Sequence, residues 1–297
     1  LTGFYSAQLF AVPSNGSMLI GGDCYMVGGM QRTGLVFLNG STGLPTPTTF
    51  TLDRALFHSS ALLGDVLYLY AEAPFTINGN VRSRCCSIDL NSNSVLSWQP
   101  APNGPVNTMT ANTNAIYLGG LLTSASVPGV RFNAFAVHPT TGALLSWAPN
   151  FNGQVMHLVA DNDAVFAQGQ FTTVNGTTRN RLAAVDLVTG AVVTAFRAEV
   201  TSHVYALATY PGNLVVGGSF STIGGQARSR LAIVATDTGA VRPFAPTFDN
   251  TVVTVDATTT GDRIVVGGNF ATVNGVARTR AVVLTPAGAL APTQLQN

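Results

Sequence analysis

Residues 217–234 read GGSFSTIGGQARSRLAIV, and the same phrase returns from Gly267 as GGNFATVNGVARTRAVVL and from Gln168 as QGQFTTVNGTTRNRLAAV. Weaker copies start at Gly119, Tyr70 and Gly21, which makes six. Their second position falls at Gly22, Ala71, Gly120, Gly169, Gly218 and Gly268, in steps of 49, 49, 49, 49 and 50 residues. Self-similarity at a fixed period of this length marks an architecture in which each unit buries its apolar surface against its neighbours. Six such units account for all 297 residues. The sequence therefore predicts one domain over 1–297, with units at approximately 1–50, 51–101, 102–150, 151–200, 201–248 and 249–297.

The fifth unit shows the internal layout. VYALAT (204–209) is followed by a turn at Pro211 and Gly212, then LVVGGSF (214–220), a polar loop with Gly224 and Gly225, RLAIVAT (230–236), a turn at Asp237, Thr238 and Gly239, and VRPFAP (241–246). Four short strands and three connections in 49 residues make one blade. The expected fold is all-β: a six-bladed β-propeller of four-stranded antiparallel blades, with the ring closed by packing the first blade on the last. The Thr-Gly turn recurs at Thr42-Gly43, Thr141-Gly142 and Thr189-Gly190, and an aromatic follows at Trp98, Trp147, Phe196 and Phe244. That aromatic is expected on the outermost strand, covering the flank of its own blade. The first unit departs most, and Pro45 and Pro47 are expected to interrupt its last strand.

Composition agrees with sheet and narrows function. There is no lysine, only Glu72 and Glu199 as glutamates, and an apolar content of 46% against 9% charged, which is far from a disordered chain. Apolar runs are too short for membrane-spanning helices. A net charge of +1 gives no bulk attraction to nucleic acid or anionic lipid. Low charge with much Thr, Asn and Gly suits an extracellular surface, and a basic content that is all arginine points to a bacterium or its phage. No signal segment opens the chain, so compartment rests on composition.

With GGSF, the Asn-Gly loop, the R-x-R pair, LA and TG in order, the repeat resembles the delta-60 repeat, a bacterial β-propeller family of unknown function. The resemblance covers all six units, most closely units four to six. It implies a secreted or surface-attached propeller and carries no catalytic residue over. In strand layout the repeat is also similar to WD and kelch repeats, but their signatures are missing.

The first arginine of the pair stands in every unit, as Arg32, Arg82, Arg131, Arg179, Arg228 and Arg278, and the second at Arg84, Arg181, Arg230 and Arg280. Equivalent loops on one face would arrange six arginines as an anion-holding ring. A residue demanded by every unit is more often structural, so they are read as staples that tie loop carbonyls. Cys24, Cys85 and Cys86 lie at matching heights of adjacent units, so a disulfide from Cys24 to one of the others fits the spacing, with a buried free thiol as the alternative. His58, His157 and His203 sit at three different register positions, and His138 lies in a turn, so no metal or nucleophile set converges. Asp161 and Asp163 could hold calcium or simply cap their turn. Asn15, Asn39 and Asn175 occupy N-x-S/T sequons.

No catalytic residue, metal or cofactor is expected, and no binding residue is singled out. The expected function is a non-catalytic extracellular binding or adhesion propeller that recognises a surface glycan or protein partner through the loops of units one to three. Nucleic acid and membrane insertion are not expected. The alternatives are a structural spacer in a surface, filament or phage tail assembly, placing the chain on a virion, and a propeller-based enzyme.

Overall fold

Sequence runs such as LVVGG are apolar at every position rather than at alternate ones, which is the pattern of a strand covered on both faces. The computed structural model describes residues 7–12, 16–22, 26–27, 30–31, 34–53, 57–123 and 131–292. It bears out that reading. In the fifth repeat, Leu214, Val216, Ala232 and Val234 join a core with Phe166 and Phe196 of the fourth. Val215, Leu231 and Ile233, one residue out of phase, join a core with Val252, Val266 and Phe270 of the sixth. Each sheet is thus the wall between two cores.

The chain forms two units. One comprises 1–118, 122–130 and 135–145, the other 119–121, 131–134 and 146–297, the boundary running within the third repeat. In the first unit, Ala7–Val12, Ser17–Gly22, Gly34–Asn39 and Pro45–Thr49 make one four-stranded sheet, and Phe57–Leu63, Val66–Ala71, Cys85–Asp89 and Ser94–Val95 make a second. Pro45–Thr49 lies at the sheet edge, where a missing N–H is tolerated, and its pairing is broken as expected, since only Pro45 and Thr49 pair, with Leu38 and Val36, and the register shifts between them. In the second unit, Val155–Ala160, Ala164–Gly169 and Leu182–Asp186 form the fourth repeat's sheet. Val204–Tyr210, Asn213–Gly218 and Leu231–Ala235 form the fifth, and Val252–Ala257, Ile264–Gly268 and Ala281–Leu284 the sixth. The third repeat, with Val106–Asn112, Ala115–Thr123 and Phe132–Val137, has the same order.

Four paired strands therefore hold for repeats one and two alone. In repeats three to six the expected outer strand contracts to a single bridge, Val137 to Leu144, Val185 to Val192, Val234 to Val241 and Leu284 to Leu290. The chain then turns to insert its aromatic. Trp98 and Trp147 are fully buried and donate from Nε1 to the carbonyls of His138 (3.1 Å) and Asp186 (2.8 Å), each in the following repeat. The aromatic series thus covers its own flank, as Trp98 does against Tyr68 (4.9 Å) and Phe196 against Phe166 (5.4 Å), and also fills the gap to the next repeat.

The polar loop after the second strand is itself a hairpin, as in Thr173–Val174 with Thr177–Thr178 and Thr222–Ile223 with Gln226–Ala227. Asn175-Gly176 (φ 49° and 74°) and Gly224-Gly225 (52° and 73°) put both central residues in the left-handed region, the turn that matches strand twist. Among the described residues there is no helix, and hence none long and apolar enough to cross a membrane.

Gly218 shows why the second glycine of the phrase is fixed: a Cβ there would lie 2.2 Å from the His203 carbonyl oxygen, with equivalent approaches at Gly169 and Gly268. Gly218→Ala must displace backbone, and we expect a loss of about 3 kcal/mol. Gly225→Ala meets nothing within 4 Å and carries only the cost of a left-handed alanine, about 1 kcal/mol. Equal shifts of the urea midpoint in the two variants would refute this account.

Candidate functional site

In repeats two, four and five the hairpin places its first arginine against the outer segment of its own repeat. Arg82 donates from Nη1 to the Val81 carbonyl (3.0 Å) and from Nη2 to that of Leu96 (2.9 Å). Arg179 does the same to Thr178 (2.8 Å) and Thr194 (3.3 Å), and Arg228 to Ala227 (2.7 Å) and Arg242 (2.8 Å). Arg278 reaches the Ala277 carbonyl at 2.7 Å. The guanidinium fork spans two carbonyls that no strand ladder satisfies. Arg179 is buried at 4% exposure, while Arg82, Arg131, Arg228 and Arg278 are half-buried. Arg32 lies outside the described residues.

Cys85 and Cys86 are free, buried thiols. As consecutive strand residues they face opposite ways, Cys85 into the core shared with Val106 and Phe135 and Cys86 into the core shared with Leu35 and Phe37. Burial pushes the Cys86 thiol up to about 12 and raises that of Cys85 as well. The disulfide expected at these positions is not made by Cys85 or Cys86, and Cys24 lies outside the described residues. Asp161 spends its carboxylate on the backbone N–H groups of Asp163 and Ala164 (both 2.8 Å), and among the described residues no group of His, Cys, Asp and Glu could hold a metal. Asn175 accepts from the Asn150 N–H (2.8 Å) and donates to the Gly190 carbonyl (3.0 Å), so its sequon amide is committed inside the fold.

The second arginine carries a feature that the motif did not announce. Arg181, Arg230 and Arg280 have φ of 64°, 68° and 67°, and Asn133 stands at the same place with 64°. Around Arg181 the Leu182 N–H donates to the Asn180 carbonyl (2.8 Å), closing a strained γ-turn. Gly34 and Asn133, residue types that tolerate this region, were the available signal.

Arg181 opens into a cleft of about 500 Å³ between the fourth and fifth repeats, lined among others by Gln168, Gln170, Asn180, His203 and Tyr205. Gln168 occupies the position held by glycine at 217 and 267. It is only 6% exposed, and its Oε1 is inaccessible and accepts no hydrogen bond. Leaving such a carbonyl unsatisfied costs about 1–3 kcal/mol. The rings of His203 and Tyr205 lie parallel, 6.0 Å apart at 10°, and Tyr205 is 46% exposed.

His157 pairs across the ladder with Gln168. Its ring is half-buried, but Nδ1 is inaccessible and unpartnered, and desolvation lowers its pKa to about 4.

Two outcomes are expected. Arg228→Ala lowers stability by about 2 kcal/mol in denaturant unfolding, and Arg228→Lys recovers part of it at most, since one ammonium cannot span both carbonyls. An unchanged midpoint would show that the arginine is no staple. For His157 the folded pKa lies below the unfolded value of about 6.5, so its contribution is complete above that pH and declines as pH falls towards 4. Folding should lose on the order of 2 kcal/mol over that range. His157→Thr, the residue type at 108 and 254, should flatten the slope. Asp186, whose carboxylate is held low chiefly by the Thr189 N–H, contributes above the unfolded carboxylate value of about 4 and is lost at more acid pH, so the two limbs separate.

The family model described as "Domain of unknown function (DUF5122) beta-propeller" matches residues 212–232. The structure is similar to the crystal structure of the Cps50 (Swd1) beta-propeller domain of Myceliophteria thermophila (TM-score 0.54, 11% identity, 99% of this chain and 87% of that one). It is similar also to the computationally designed Ika8 protein (TM-score 0.56, 14% identity, 97% and 74%). No curated protein matches the sequence. The chain is an all-β protein of the β-propeller fold, and its fifth repeat carries the signature of a bacterial-type propeller domain of unknown function.

Proposed function

We propose that this chain is a non-catalytic, extracellular binding or adhesion propeller that recognises a surface glycan. Its architecture is read as six blades, with four paired strands in the first two and three paired strands with an outer fourth segment in the other four. Six copies of the repeat and a common strand order in every sheet support the count. The observation that carries the function is the cleft between the fourth and fifth repeats. There a buried, unpartnered amide oxygen, a guanidinium and two parallel rings converge in a fold whose other polar groups are largely spent on turns. A few converging polar groups beside aromatic surface is the composition of a ligand site. The loops of repeats one to three, expected to make the contact, fall partly outside the described residues, at 23–25, 28–29, 32–33 and 124–130. A protein partner and a structural role in a surface, filament or tail assembly are the other readings; no nucleic acid, membrane insertion or cofactor is part of the proposal.

A glycan and cell-wall polymer array probed with the full chain, beside light scattering, tests this. Glycan capture by a species of defined size is the expected result. Ordered polymers without glycan capture would replace the binding role with the structural one, and turnover of a substrate would overturn both.

A further inference from the structure

The chemistry of the cleft between repeats four and five names its ligand more closely, an inference that rests on the glycan-binding reading. The equivalent of Arg181 in the next repeat, Arg230, is committed, donating to the Phe248 carbonyl and to Ser229 Oγ. The Arg181 guanidinium has no partner among the described residues, although its backbone is fixed on both sides by Phe171 and Gly169 (3.0 and 3.1 Å). Left-handed backbone at a non-glycine residue persists where its surroundings over-determine it, and here they hold the base of a free guanidinium in place. No aspartate or glutamate lines the cleft. The site therefore presents one uncompensated positive charge in a planar fork, the geometry that carboxylate matches with two parallel hydrogen bonds.

The remaining groups specify what carries the carboxylate. Gln168, nine-tenths buried, carries an amide whose oxygen accepts nothing among the described residues. Glycine serves at 217 and 267, and Tyr70, buried at the same position of the second repeat, spends its hydroxyl on the Gly104 carbonyl (3.3 Å), whereas the Gln168 oxygen has no partner. An amide of this kind is completed by a hydroxyl, which can both donate and accept. The parallel His203 and Tyr205 rings, with Tyr205 and Met156 exposed, put aromatic and apolar surface beside those polar groups. We propose that the cleft takes a saccharide residue bearing a carboxylate, a uronic acid. Its carboxylate lies on Arg181, its hydroxyls meet the Gln168 amide and the C–H face of its ring covers Tyr205.

The test is calorimetric titration of the full chain with trimers of galacturonic, glucuronic and mannuronic acid, each beside its carboxyl-reduced neutral form. At least one acid should bind 10-fold or more tightly than its reduced form, with affinity falling as salt rises. Arg181→Gly should remove that preference while keeping the melting temperature, because glycine adopts φ near +64° without strain. Gln168→Gly, which installs the residue of the neighbouring repeats, should weaken acid and reduced forms alike. Equal affinity for the two forms, or undiminished preference in Arg181→Gly, overturns the carboxylate inference and leaves glycan binding standing. Failure of every trimer, with another glycan captured on the array, overturns it likewise. Failure of every glycan in both experiments removes this inference and the glycan-binding function together.

Discussion

No sheet in this protein can bury its own two faces. Three or four short strands expose apolar side chains to both sides, and only another repeat removes them from water. Consecutive residues Leu214, Val215 and Val216 show the arrangement at its smallest scale, alternately entering the core shared with the fourth repeat and the core shared with the sixth. A single repeat has no core of its own, so stability is a property of neighbouring pairs. This is why the chain repeats at all, and why its strands read as continuous apolar runs.

The contacts between repeats set the demands on the connecting segments. The outer segment gives up its ladder after one bridge and sends Trp98, Trp147, Phe196 or Phe244 into the gap, fully buried in each case. Tryptophan adds a donor that satisfies a turn carbonyl of the next repeat. Giving up the ladder leaves carbonyls of the outer segment without strand partners, and the first arginine of the pair supplies donors to them from the hairpin. The same crowding fixes glycines: at Gly239 a Cβ would lie 2.6 Å from the Arg197 carbonyl carbon of the preceding repeat, in a residue already at φ 74°.

Against this background the fourth repeat stands apart by substitution rather than by design of a new element. Gln168 replaces the first glycine of the phrase and brings an amide into a wall that is elsewhere apolar, next to His157, whose Nδ1 is equally unpartnered. The rest of the cleft comes from positions that repeats four to six share, the left-handed second arginine at 181, 230 and 280, and from an exposed residue of the next repeat's first strand, here Tyr205. The cleft thus differs from its counterparts by two or three residue choices, with the scaffold unchanged.

Much of this was legible in the sequence. The period of 49 pointed to an all-β repeat protein and to the spacing of its repeats, because turn glycines and strand runs recur at near-constant offsets. The strand runs, the Asn-Gly hairpin turns and the recurrent arginine follow from local chemistry that a sequence states directly. What only the tertiary structure decided is which side of each element meets which neighbour. The outer strand looked like a fourth ladder strand, since its residues favour extended backbone; the aromatic's better burial in the adjacent repeat cut it to one bridge. Cys85 and Cys86 looked like neighbours able to share one partner, yet strand alternation sends them into separate cores. The cleft was not legible at all. Gln168, Arg181, His203 and Tyr205 come from two repeats and three kinds of register position, and their meeting depends on how one wall packs on the next, a relation between repeats that no offset within a repeat encodes.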